Sequence, residues 1–184
     1  MALTPTKSIP LGFSAPEFKL IDQISSKTLI YNDIKGEKGT LVMFICNHCP
    51  YVKHIIHELV AVGNEFIPQG IGMVAISAND AMKYPEDSPE KMKIFAAKND
   101  FPFPYLYDET QEVAKAYDAA CTPDFNLFDA EDRCVYRGQF DGSRPGNEVP
   151  VSGKDLRAAL KLVLEGKKVP ENQIPSIGCN IKWK

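Results

Sequence analysis

Residues 39–66 read GTLVMFICNHCPYVKHIIHELVAVGNEF, and three kinds of pattern follow one another there. Residues 39–45 form an unbroken apolar run, too short for a helix and without alternation. Such a run predicts a strand buried on both faces, as in the middle of a parallel sheet. From Val52 onward the apolar residues return at helical spacing. Val52, Ile55, Ile56, Leu59 and Phe66 share one face at 100° per residue. Between strand and helix stand Cys46 and Cys49 with His48 between them and Pro50 directly after. The stretch predicts a buried strand running into an amphipathic helix, with two thiols at the junction.

A thiol at a helix N-terminus faces unpaired backbone N–H groups and the positive end of the helix dipole. Both favour the thiolate, which is the reactive form, and a second thiol within reach can close a disulfide. A protonated His48 would lower the thiolate pKa further. Two other readings compete. Cysteine is among the residues most often buried, so the pair can be core filler. A zinc site is the second rival, because His54 and His57 follow closely. A finger-type site needs a longer gap between its Cys and His pairs. His54 and His57 also fall opposite the apolar face and are expected in solvent. The expectation is therefore a redox pair with no metal and no cofactor.

Outward from this stretch, EFKLID and KTLIYN predict an early hairpin, and IGMVAIS a second buried strand. SPEKMKIFAAKND predicts a helix with Ser88 as N-cap and Pro89 at its first position. FPYLYD reads as short and extended, and TQEVAKAYD as a helix after Thr110. DFNLFD and CVYRGQF read as antiparallel strands around the turn at Ala130 to Asp132. SGKDLRAALKLVLEG reads as a capped amphipathic helix closed by Gly166. The residues from about 170 to 184 are expected to form an irregular tail on a single 1–184 domain. Helices alternating with buried strands predict a three-layer α/β fold, with a mixed central sheet and helices on both faces. The thiols then lie at the carboxyl end of a strand, the functional edge of such sheets.

Composition excludes little beyond this. The 21 Lys and Arg against 24 Asp and Glu give a net charge of −3. That balance offers no basic footprint for nucleic acid or an anionic membrane. No apolar run reaches membrane-spanning length, and the first residues lack the pattern of a signal peptide. A cytoplasmic protein is expected, where cysteines are normally kept reduced.

Several stretches together resemble the thioredoxin superfamily, and within it the peroxiredoxin-like alkyl hydroperoxide reductase/thiol-specific antioxidant group. They are SAPEFKL, KMKIFAAKNDFPFPYLYDETQEVAKAYDA and CTPDFNLFD, together with the cysteine pair. The resemblance implies a thioredoxin-like fold with an added N-terminal β-hairpin and a thiol-based redox activity. It implies a cis-proline at Pro123, with Thr122 offering backbone groups to an extended substrate. Cys121 would either approach the pair as a further redox thiol or be a small buried residue at a strand entry. Cys179 would either fold back as a further redox thiol or anchor the tail. Cys134 is expected in the core, and Asp124 and Asp129 are given no role.

The sequence departs from the group at two positions. Aligning Cys49–Pro50 with the peroxidatic Cys-Pro puts Cys46 where a Thr or Ser is usual. Thr122–Pro123 stands where an Arg is usual. Thioredoxins for their part carry Trp before C-x-x-C, and here it is Ile45. Three functions follow as alternatives. One is a thiol–disulfide oxidoreductase acting with a protein partner through Cys46 and Cys49. Another is a thiol peroxidase with Cys49 peroxidatic and Cys46 resolving. The third is a binding module on the same scaffold. A monomer or weak homo-oligomer is expected. Two helix registers remain open, with either cysteine at the N-cap. Pro50 favours Cys49 there, because the first helical position needs no N–H, and Cys49 is the expected low-pKa thiol.

Overall fold

The structure is a computed structural model and describes residues 3–184. In chain order its elements are β1 (Leu3–Pro5), β2 (Lys19–Asp22), β3 (Thr28–Ile30), α1 (Tyr31–Ile34), β4 (Gly39–Phe44), α2 (Pro50–Phe66), β5 (Ile71–Ser77), α3 (Pro89–Lys98), β6 (Tyr105–Tyr107), α4 (Glu112–Ala116), β7 (Cys121–Thr122), β8 (Asp124–Asp129), β9 (Cys134–Tyr136), α5 (Lys154–Leu164) and β10 (Ile177–Asn180).

The apolar run 39–45 becomes β4, whose six residues are all buried. It lies between β5, parallel to it, and β8, antiparallel. The seven-stranded order is β3-β2-β6-β5-β4-β8-β9, with β2 antiparallel to β3 and β6, so the sheet is mixed. Alternation along β4 divides the interior into two layers. Leu41 and Met43 pack with α2, α3 and α5 on one face. Val42 and Phe44 pack on the other with Tyr31 and Ile34 of α1 and with Val113 and Ala114 of α4. The expected three layers and the early hairpin are both present.

α2 buries Val52, Ile55, Ile56, Leu59 and Phe66 as its periodicity requires. Ser88 caps α3, its side chain accepting from the Lys91 N–H, with Pro89 first in the helix. α5 is held differently from expectation. Its flanking Gly153 is left-handed at φ 63° and lends no side chain. The buried Asp141 carboxylate accepts from the Ser152 and Gly153 N–H groups instead, at 2.7 Å each.

The expected irregular tail is the main correction. Residues 177–180 form β10, the middle strand of a second sheet in the order β1-β10-β7. Cys179 pairs with Leu3 on one side and Thr122 on the other. Ile177–Asn180 is no stronger a strand by composition than its neighbours, and the pairing comes from two strands far away in the chain. Among the described residues no helix is long and apolar enough to cross a membrane.

Candidate active site

The carboxyl end of β4 delivers Cys46 and Cys49 into the turn before α2. Cys49 is the N-cap residue, with extended backbone at φ −64° and ψ 122°, and Pro50 is the first helical residue. The register with Cys49 at the helix start is therefore the one adopted. Proline costs nothing there, since that N–H has no partner within the helix.

The two thiols are buried, Cys46 at 1% exposure and Cys49 at 0%, and they hold protons very differently. Cys49 is lowered to about 5 from an ordinary 9.0. The largest cause is the hydrogen bond from Cys46, which outweighs the opposing effect of burial; Cys179, Thr122 and the Val52 N–H add to it. Val52 acts by the polarity of the first turn, since no capping bond to the Cys49 side chain forms. The Thr122 carbonyl, 3.2 Å from Cys49 Sγ, works the other way, because it can only accept a proton. Cys46 is driven well above 9.0, first by its bond to Cys49, then by burial and the Asp87 charge. One proton shared between the sulfurs rests on Cys46.

His48, expected to support the thiolate, is engaged with Asp87. Its Nδ1 donates to Asp87 Oδ2 at 2.5 Å, and its ring stacks on Tyr84 with centroids 5.9 Å apart. Asp87 is fully buried and also accepts from Asn79 Nδ2 at 2.7 Å and the Asn47 N–H at 2.8 Å. Burial raises the Asp87 carboxyl, but these bonds prevail and hold it below 3.8. Nothing in KYPEDSPE pointed to Asp87, which reaches the site only because its loop folds over the β4–α2 turn. Cys46, His48 and Asp87 offer donor atoms within 4.8 Å of one another, a set that can hold a metal ion. Here the carboxylate is already engaged by hydrogen bonds.

The Thr122–Pro123 peptide is cis, as the resemblance implied. Thr122 Oγ1 lies 3.4 Å from Cys46 Sγ. The Thr122 backbone is paired with Cys179 of β10 rather than open to solvent. Cys121 does not bond to the pair. It packs against Thr6 Oγ1 at 3.7 Å and the Pro123 carbonyl at 3.6 Å, and burial raises its pKa. Cys134 is in the core, as expected. Cys179 folds back onto the site, its sulfur 2.9 Å from that of Cys49. His54 departs from expectation: it is half-buried, with Nε2 2.6 Å from Ser143 Oγ, whereas His57 is exposed. A groove of about 1090 Å³ near Lys38, Asp129 and Val163 lies at the opposite end of β4 from the thiols.

A mixed sheet between helical layers, a thiol pair at the start of the helix after the central strand, and a neighbouring cis-proline define a thioredoxin-like thiol protein. The model of the AhpC/TSA family matches residues 11–140. The chain belongs to the AhpC/TSA family, the peroxiredoxin-like branch of that superfamily. It is similar over its whole length to an uncharacterized conserved protein from Geobacillus kaustophilus, with 58% identity, 97% of that chain covered and a TM-score of 0.98. A hypothetical protein from Sinorhizobium meliloti is 47% identical over 98% of each chain, with a TM-score of 0.96. The thioredoxin domain of a thiol-disulfide oxidoreductase from Bacteroides vulgatus shares the fold. It has a TM-score of 0.63 at 18% identity, covering 83% of this chain and 99% of that one. No curated protein matches the sequence.

Proposed function

We propose that the protein is a thiol–disulfide oxidoreductase in which Cys49 attacks and Cys46 resolves. The observation that carries this is the placement of Cys49 at the N-cap of α2, against the polar first turn, with Cys46 in the turn before it. The proton affinities run the same way, Cys49 lowered and Cys46 raised. A nucleophile must be a thiolate near neutral pH, whereas the resolving thiol can remain protonated until the mixed disulfide forms. The Cys49 thiolate attacks one sulfur of a substrate disulfide, and the other substrate sulfur leaves as a thiol. Cys46, losing its proton, then attacks Cys49 Sγ and expels the second substrate thiol. The substrate gains two electrons, and the protein is left with a Cys46–Cys49 disulfide for an external dithiol to reduce. The partner is a protein disulfide, and a cytoplasmic setting would supply the reductant.

Peroxidase chemistry is the second reading, favoured by Cys49–Pro50 at the helix start and by the family. There Cys49 would take one peroxide oxygen as sulfenic acid and Cys46 would expel it as water. That route gains from a hydroxyl and a guanidinium on the O–O bond. Cys46 occupies the hydroxyl position, and the Thr122 hydroxyl lies 3.4 Å from Cys46 Sγ.

Insulin disulfide reduction with dithiothreitol as reductant, measured beside hydrogen peroxide consumption, decides between them. Acceleration of insulin reduction that disappears in Cys49→Ser, with slow peroxide turnover, is expected. Rapid peroxide consumption with no effect on insulin would reverse the assignment.

A further inference from the structure

Cys49 has two thiol neighbours, and only one belongs to the C-x-x-C pair. Cys179, 130 residues away, brings its sulfur to 2.9 Å, less than an ångström beyond the ~2.05 Å of a disulfide bond. The approach is built by several elements. β10 pairs Cys179 with Thr122 and Asn180 with Cys121, so it takes the sheet edge beside the thiols. Gly178 lies so near this edge that a Cβ there would be 1.9 Å from the Thr122 carbonyl oxygen. Beyond Cys179 the chain is clamped. The Lys182 N–H donates to Asn79 Oδ1 at 2.8 Å, and the Lys182 carbonyl accepts from the Asp80 N–H at 2.8 Å. Gln111, at φ 65° and buried, bonds the Lys182 carbonyl and the Lys184 N–H through its side-chain amide.

We propose that Cys179 is a second resolving thiol and that β10 is an internal substrate occupying the edge where an external disulfide would pair. The proposal rests on the reading of Cys49 as the attacking thiolate. When Cys49 carries a mixed disulfide, Cys179 loses its proton and attacks Cys49 Sγ. The Cys49–Cys179 bond forms, the bond to the substrate sulfur breaks, and the substrate leaves as a thiol that takes up the proton. When the Cys46–Cys49 disulfide is already present, the same attack returns Cys46 to its thiol with no net electron transfer. Either route staples the C-terminal strand across the head of α2 and leaves Cys46 free. Because β10 covers Cys49, external substrates reach it only after this strand leaves the edge of β7.

The test uses oxidised glutathione as the probe on full-length Cys46→Ser and on Cys46→Ser/Cys179→Ser, with far-UV circular dichroism establishing that both are folded. Intact mass and non-reducing peptide mapping read the products. The single variant is expected to release glutathione and accumulate a Cys49–Cys179 disulfide, while the double variant stops at glutathione-bound Cys49. In wild type, mapping is expected to recover Cys49–Cys179 beside Cys46–Cys49. A stable adduct on Cys49 in the single variant, with Cys179 free, overturns the role of Cys179 and leaves that of Cys49 standing. No adduct on Cys49 in either variant overturns both.

Discussion

The imidazole of His48 and the carboxylate of Asp87, 39 residues apart, meet at 2.5 Å, and the carboxylate is wholly buried. The contact places a negative charge beside Cys46 and raises the proton affinity of that thiol. It also ties the β4–α2 turn to the loop before α3, because the Asn47 and His48 N–H groups both point at Asp87 Oδ1.

Asp87→Ala should therefore destabilise the protein by about 3 kcal/mol, since several buried donors lose a charged acceptor at once. Urea denaturation at neutral pH measures it. A loss smaller than about 0.5 kcal/mol would show that the cluster contributes no net stability.

The Cys49 thiolate can be followed directly by its absorbance near 240 nm. With a pKa of about 5, the thiolate is present above that pH and is lost as pH falls through it. The wild-type protein should show this step in acid. Cys46→Ser keeps a donor and should keep the step acidic. Cys46→Ala removes the largest cause of the shift and should move the midpoint upward by about 2 pH units. A wild-type titration with no step below about pH 8 would put the nucleophile elsewhere.

Asp124 opens β8 immediately after the cis-proline and is fully buried. Burial raises its carboxyl to about 6 from 3.8, against the opposing pull of Arg137 and of the Ala120 N–H. The folded state thus binds this proton more tightly than the unfolded chain does. Its contribution to stability is fully present below about pH 4 and is lost as pH rises through about 6, a cost near 3 kcal/mol at pH 7. Asp124→Asn carries no such charge. Between about pH 4 and pH 7 its unfolding free energy should fall by about 3 kcal/mol less than that of wild type. Parallel stability profiles for the two proteins would refute the assignment.

Gly178→Ala tests the seating of β10 without touching any sulfur. The added methyl would fall 1.9 Å from the Thr122 carbonyl oxygen, so the strand must move off β7. Cys179, 3% exposed in the native structure, should then react with Ellman's reagent roughly tenfold faster, as a locally opened segment does. Unchanged thiol reactivity would mean that the strand tolerates the methyl in place.

The central architecture was legible in the sequence because its signals are local. The unbroken apolar run of β4, the 3.6-residue period of α2 and the Ser88–Pro89 start of α3 each lie within a few residues of chain. Pro50 was the same kind of signal. Its missing N–H favours the first helical position, and that preference placed Cys49 at the N-cap. The resemblance to a known family supplied what local pattern could not, the hairpin-extended thioredoxin-like fold and the cis peptide before Pro123.

The parts of the site that were not legible depend on contacts between distant positions. Asp87 sits in a loop whose composition describes only a turn and a helix start, and it acquires meaning when that loop closes over the β4–α2 turn. Residues 177–180 have weak strand character and become β10 because β1 and β7 present complementary edges on either side. The sequence by itself determined the buried strand, the helix and the thiol pair at their junction, since propensity, periodicity and capping act over one or two turns of chain. Only the tertiary structure decided which groups surround those thiols, bringing Asp87 to His48 and Cys179 to Cys49, because burial and hydrogen bonding join residues that no local spacing relates.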